Sequence, residues 1–389
     1  MTPFLGIIFL FILAYIGSFL YERYHLATGW TKVILYSGSL NLVIGYIIGP
    51  HFFGLLSDAI IGKLYVLVAL VLGWAGFLIG LQAKAIELKR FQSTYYLYSG
   101  INFILTFVGL FIVIFFMDLI FKFNLDLPLI ILLAILGSVS SPILVGLLKE
   151  KLKLRGPMIH LIQFSVALDN MAGVICFGLV MLFVNQFFYQ DVHILAMIFG
   201  SFLFSVFMSW LFYKISIMID NLHQFFLVLI GFVLVIVGVA LNLNQSVLLI
   251  SFIFGVVLTN LPVDTRKLYQ SIDNAEKPLY YLMMIFIGAI LGNIDIDLLL
   301  IIFIMVIFRL AIKYLAGNLA RFPLQAIKNH HSRIGLPKIG MGGIALAMSL
   351  DFHLSLQNEF SQKILFIVSV MAIINVIISA GIFRSFRSK

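Results

Sequence analysis

Charge is scarce in this chain. Of its 389 residues, 25 are Lys or Arg and 16 are Asp or Glu, 11% together, where a soluble domain carries about a quarter. Cysteine is nearly absent. Cys176 stands alone, which excludes an intrachain disulfide or thiolate metal cluster and leaves the redox compartment unread. The eight histidines (His25, His51, His160, His193, His223, His330, His331 and His353) lack any metal-like spacing within an apolar run. No cofactor, resident metal or enzyme activity is therefore expected. No Lys or Arg precedes the first apolar run, and no small-residue cleavage site follows it, so a cleaved signal is not expected either. The longest polar stretch is about eighteen residues, near 321–338, too short for a soluble regulatory domain.

What is abundant is apolar: 62% of the residues are hydrophobic and mean hydropathy is +1.14. Runs of about 20 apolar residues recur throughout, which defines an all-α polytopic membrane protein. Thirteen are read, at roughly 3–21, 33–50, 60–81, 95–117, 127–148, 158–187, 193–216, 223–241, 246–260, 278–292, 298–320, 336–351 and 362–383. The net charge of +9 might suggest a nucleic-acid partner, but its placement argues otherwise. With the N-terminus outside, the inside loops hold 20 Lys and Arg and the outside loops hold three, Lys63, Lys122 and Lys363. This bias predicts a cytoplasmic C-terminus in a cell-membrane protein, with anionic lipid as a secondary partner.

Two basic residues remain, Arg309 and Lys313, inside the eleventh span and four apart, hence on one helix face with Gly317. Of the acids only Asp169 lies deep in a span; Asp118, Asp126 and Asp351 fall near span ends. An ionisable group in a bilayer is costly unless paired or facing water, so such residues mark transport pathways by default. The plainer alternative is a salt bridge that only fixes helix packing. Asp169 sits about eleven residues into the sixth span, about 16 Å at helical rise. Arg309 and Lys313 both reach that depth, Arg309 more closely. Ser165 and Gly173 share the Asp169 face, and Gln163 shares that of Asn170.

Two spans carry helix breakers. In the fifth, Ser138, Ser140 and Ser141 precede Pro142; in the twelfth, Pro337, Gly340, Gly342 and Gly343 follow one another closely. Free backbone at membrane depth is tolerated only inside protein or along a cavity. Paired broken helices in matching halves point to a secondary-transporter site, although each alone is also an ordinary kink. Two inverted repeats of six spans, about 3–187 and 223–383, joined by a linker helix at 193–216, would place both breaks at matching positions.

Several segments then resemble one family. "LVIGYIIGPHFFG" (42–54) is similar to the second-span Gly-x-x-x-Gly-Pro signature of the monovalent cation:proton antiporter superfamily, and "GWAGFLIGLQ" (73–82) to its third span. "SSPILVGLLKEKLKLRGPMIHLIQFSVALDNMAGVI" resembles its broken helix, basic loop and carboxylate helix. "SFIFGVVLTN", "KPLYYLMMIFIGAIL", "FRLAIKYLAG" and "MGGIALAMSL" resemble later segments in the family's order. The resemblance implies a sixth-span carboxylate that binds a cation or a proton, a core carrying the crossed helices that moves against a dimerisation domain, and a homodimer. The family's usual Asp-Asp pair falls on Asp169 and Asn170, so the second position, normally the ion carrier, is neutral here. The twelfth span also departs, reading Gly340-Met341-Gly342 where a Pro-Gln/Arg-Gly-type start is usual.

The expectation is a secondary transporter exchanging Na+ or K+ for protons by alternating access, possible in electroneutral form. Asp169, Asn170 and Ser165 would form the ion and proton site, with Arg309 and Lys313 as charge partners and Asp169 or Lys313 as the titrating group. A carrier of an anion or neutral solute on the same fold remains open, as does a non-transporting scaffold or sensor that lost its ion carrier.

Overall fold

The computed structural model describes residues 10, 12–17, 30–123, 125–151, 157–188, 194–292, 296–321 and 335–385. The ends of the first span, the loop residues Arg23, Lys153, Arg155, Lys328, Arg333, Arg387 and Lys389, and His25, His193, His330 and His331 lie outside the described residues. Every regular element among those described is helical.

The second span is formed by α1 (Trp30–Tyr36) and α2 (Ser39–Ile48). A short α3 (Asp58–Lys63) leads into α4 (Tyr65–Leu81), the third span, and a single turn α5 (Ala85–Leu88) precedes α6 (Ser93–Phe121). The fifth span is two helices, α7 (Leu127–Ser138) and α8 (Pro142–Lys151). Then come α9 (Pro157–Phe188), α10 (Ile194–Ser216), α11 (Leu222–Asn242), α12 (Val247–Asn260), α13 (Thr265–Ile290) and α14 (Ile296–Leu319). A 3-10 turn, Leu336–Lys338, opens the twelfth span, which continues as α15 (Gly343–Leu356); α16 (Glu359–Ser385) is the last helix. Among the described residues, seven helical stretches are long and apolar enough to cross a bilayer, and four shorter apolar helices accompany them.

The helices are built for an apolar solvent. On α6 the buried face carries Tyr98, Asn102, Thr106, Leu110, Ile114 and Met117 at helical spacing, while Ile104, Val108, Ile112, Phe116 and Leu119 are exposed. The polar Asn102 and Thr106 turn inward, because lipid offers them no hydrogen-bond partner, and the outward face is left to apolar side chains. Asp118 is a span-end cap, accepting from the Leu125 N–H at 3.0 Å.

Glycine sets two intimate crossings. Spans two and ten approach so closely that a Cβ on Gly288 would lie 2.0 Å from the Leu42 carbonyl oxygen, and one on Gly45 2.1 Å from that of Ile285. Spans three and nine do the same: a Cβ on Gly80 would meet the Phe252 oxygen at 2.2 Å, and one on Gly255 the Phe77 oxygen at 2.4 Å. Small residues let membrane helices pack backbone to backbone, where dispersion replaces the missing hydrophobic drive. Exchanging each span for the one seven places along turns the first crossing into the second. Gly288→Ala should therefore lower the melting temperature in mild detergent, by about 1–3 kcal/mol of overpacking. Gly231→Ala, where a Cβ meets nothing within 4 Å, should be neutral or stabilising by up to about 1 kcal/mol. Equal melting of the two variants would contradict this account of the crossings.

Candidate ion-binding site at the crossing of two broken helices

Pro142 does not kink a continuous helix. It is the first residue of α8, where its missing N–H costs nothing, and the chain is non-helical from Val139 to Ser141. The twelfth span opens likewise over 339–342. The two openings cross: the Ser141 N–H donates to the Gly340 carbonyl at 2.9 Å. Side chains are excluded at the crossing, since a Cβ on Gly342 would fall 2.5 Å from Ser141 Oγ, and one on Gly340 2.3 Å from Leu144 Cδ1. Gly343 sits as closely under the Tyr280 ring. The sequence pattern of glycines and serines is thus a steric requirement of two backbones passing each other.

Each broken helix leaves carbonyls without partners. Arg309, fully buried on α14, supplies them. Its Nε donates to Gly137 O at 2.8 Å, its Nη2 to Val139 O at 3.0 Å, and its Nη1 to Ile339 O and to Asn375 Oδ1, the latter at 3.1 Å. One planar guanidinium so ties α7, the opening of the twelfth span and α16 together. Depth suggested Arg309 as the nearer partner of Asp169. That expectation is corrected: the guanidinium is saturated by carbonyls and a neutral amide and forms no ion pair with Asp169, because helix C-termini already present partial negative charge. Lys313, one turn on, donates to Ser138 O and, at 2.9 Å, to Ser140 Oγ, and lies 3.9 Å from Asp169 Oδ2.

The closest partner of Asp169 is a residue the loop count had placed in the basic cytoplasmic loop. Lys338, at the end of the 3-10 turn, is fully buried and its Nζ lies 2.8 Å from Asp169 Oδ2. It also donates to Ser165 Oγ at 2.6 Å and Asn102 Oδ1 at 2.5 Å, and stands 5.8 Å above the Tyr98 ring. The inside-loop tally falls by one, and Asp351 proves fully buried as well. At the site itself, one carboxylate faces two ammonium groups.

Ser165 and Asn170 lie beside Asp169 in the structure. Asn170 Oδ1 accepts the Ser140 N–H at 3.3 Å, so the neutral residue beside Asp169 caps backbone freed by the break. Ser140 Oγ lies 3.4 Å from Asp169 Oδ2, while Ser138 bonds back to Ala134 O within its own helix. Gly173 packs against Val139, and Gln163 accepts from Lys149, away from the site. Asp169 Oδ1 and Asn170 Nδ2 are buried without a hydrogen-bond partner. A buried carboxylate oxygen with no protein hydrogen-bond partner is a hard donor of the kind that suits a small cation.

The role of the guanidinium can be tested separately. Arg309→Lys keeps the charge but not the fork, so at least one buried carbonyl loses its donor, at about 1–3 kcal/mol each. The variant should melt well below the wild type; an unchanged melting temperature would remove Arg309 from the crossing's support.

The sodium/hydrogen exchanger transmembrane family matches residues 24–385. Two solved structures of the sodium proton antiporter MjNhaP1 from Methanocaldococcus jannaschii share the fold. The structure at pH 8 superposes with a TM-score of 0.64 at 15% identity, covering 98% of this chain and 96% of that one. The electron-microscopy structure gives 0.65 at 12% identity, covering 100% and 97%. No curated protein matches the sequence. With the family match spanning nearly the whole chain and the fold agreeing over its length, the chain belongs to the sodium/hydrogen exchanger family of polytopic membrane antiporters.

Proposed function

We propose that this antiporter exchanges one monovalent cation, Na+ or K+, for one proton, with Asp169 as the shared seat and Lys338 as the built-in competitor. The observation that carries the proposal is the 2.8 Å contact of Lys338 Nζ with Asp169 Oδ2, beside the unpartnered Oδ1. A cation arriving at Asp169 meets a carboxylate already neutralised by an ammonium. Two positive charges on one carboxylate, away from water, repel strongly. The ammonium releases its proton to water on the side from which the cation enters and leaves the carboxylate as a neutral amine, which a lysine can do and an arginine cannot. On the opposite side of the membrane the sequence reverses. The cation-loaded and proton-loaded sites then carry the same charge, so the cycle moves no net charge.

The rest of the architecture fits this proposal. The repeats at about 3–187 and 223–383, with 193–216 between them, would make the crossing their common centre; the exchanged pairing of spans two and ten with three and nine supports that division. The basic loops orient the C-terminus to the cytoplasm of a plasma-membrane protein. A homodimer would join copies through helices outside the broken pair. The excess of ammonium over carboxylate favours a second reading, a carrier of an anion or neutral solute.

In proteoliposomes with Na+, K+ or Li+ gradients and an internal pH dye, Asp169→Asn should abolish cation-driven proton movement, with a melting temperature lowered by the two buried lysines left without a carboxylate. Lys338→Gln should still bind cation but lose competition by protons, so that the apparent cation affinity rises and its dependence on proton concentration flattens. Wild-type flux in Asp169→Asn would sink the cation reading. Anion-driven flux that survives only with both lysines would favour the second.

A further inference from the structure

Among the described residues Asp351 is the other fully buried acid, and the ion site makes no use of it. It lies on α15, the helix whose N-terminus abuts the crossing at Gly342 and Gly343. Eight residues on from Gly343, it sits about 12 Å along the same rod at helical rise. Its carboxylate is spent on a different helix. Oδ2 accepts from Ser246 Oγ at 2.5 Å and from the Leu248 N–H at 3.1 Å, and Oδ1 accepts from the Val247 N–H at 3.2 Å. These donors are the N-cap and first turn of α12, where an anion gains from both the free N–H groups and the helix dipole. One turn further, Tyr65 Oη at the start of α4 donates to Leu354 O at 2.5 Å.

α4 and α12 form the backbone-to-backbone pair described above, so they move as one body. α15 has no such glycine contact with them at this end; it is held by side-chain hydrogen bonds. On the opposite face, the one carrying the basic loops, a cavity of about 220 Å3 opens among Tyr36, Trp74, Ile143, Asp273, Glu276 and Tyr280. Ile143 is the second residue of α8, and Tyr280 lies against Gly343, so the cavity reaches toward the crossing. On the basic face a cavity thus reaches toward the crossing, and on the other face Asp351 bonds α15 to the start of α12.

The exchange of spans seven places apart makes the asymmetry sharper. The counterpart of the α12–α15 contact is that of α1 with α8 on the basic face. There Val33 packs with Leu144, Leu147 and Val376 in an apolar cluster. An apolar contact of this kind can slide without orphaning a donor, whereas the Asp351 contact cannot be opened without stranding three.

We infer that Asp351 is a positioning residue, a latch that holds α15 to the α4–α12 pair and keeps the far face closed while the basic face is open. The inference rests on the alternating-access reading of the site. Charge-assisted bonds to a helix N-terminus hold the closed form, and that form gives way only when Asp351 leaves Ser246, Val247 and Leu248 together.

The test uses the full-length protein in a Cys176→Ser background, with Ile143→Cys as reporter of the basic-face cavity. A membrane-impermeant maleimide is applied from that face. Adding Asp351→Asn, which puts an amide N–H where an acceptor was, should slow labelling by on the order of tenfold as the population shifts to the form open on the far side. Ser246→Ala, which removes one donor and leaves the carboxylate, should shift it the same way by less, and serves if Asp351→Asn does not fold. Apparent cation affinity should fall when measured from the basic face and rise from the far face. Unchanged labelling in a folded Ser246→Ala or Asp351→Asn protein would overturn the latch, as would a loss of thermal stability with no change in sidedness. Labelling requires no ion flux, so its outcome is independent of whether Asp169 carries a cation.

Discussion

A carboxylate and an ammonium, both cut off from water, face each other at 2.8 Å where two interrupted helices cross. The rest of the structure follows from that constraint. Neither Asp169 nor Lys338 could be buried alone, since removing one partner of a buried pair leaves an uncompensated charge costing several kcal/mol. The pair exists only because the twelfth span unwinds just after Lys338 and lets its side chain reach the sixth. The unwinding in turn exposes backbone that only a protein interior can satisfy.

The three buried cations of this region therefore do different work. Arg309 is a fixed strut, whose five-donor fork suits several carbonyls. Lys313 is divided between a helix end and the edge of the site, bonded to Ser138 O and Ser140 Oγ while 3.9 Å from Asp169. Lys338 is committed to the carboxylate itself. This division explains how a neutral Asn170 can stand beside Asp169, at the position where the family resemblance implies an acid. Its amide oxygen secures the Ser140 N–H, and one carboxylate with one exchangeable ammonium already makes a complete two-state seat under the proposed cycle.

Much of this was legible in the sequence. Composition and run length defined a polytopic helical protein, and Pro142 with the serines and the glycines after Pro337 marked both openings to within a few residues. Asp169 stood out because depth in an apolar run is a linear property. Lys338 did not, because hydropathy blurs span ends and a lysine beside a polar loop counts as a topology signal. Its place between Pro337 and Gly340, inside the breaker cluster, was the available clue. Asp351 was read as a span-end acid for the same reason, whereas α15 continues to Leu356. Arg309 shows a different limit. Depth predicted which residues lie near the crossing, but choosing between carbonyls and a carboxylate depends on side-chain direction, which spacing does not carry.

The central claim is that a cation and the Lys338 ammonium take turns at the Asp169 carboxylate, so that both loaded forms bear the same charge. Its most direct test is the rate of Na+- or K+-driven proton exchange in proteoliposomes under an imposed membrane potential of either sign. The account predicts the same rate at zero, positive and negative potential. A rate that rises with one sign and falls with the other would show net charge moving in each cycle, and would contradict it.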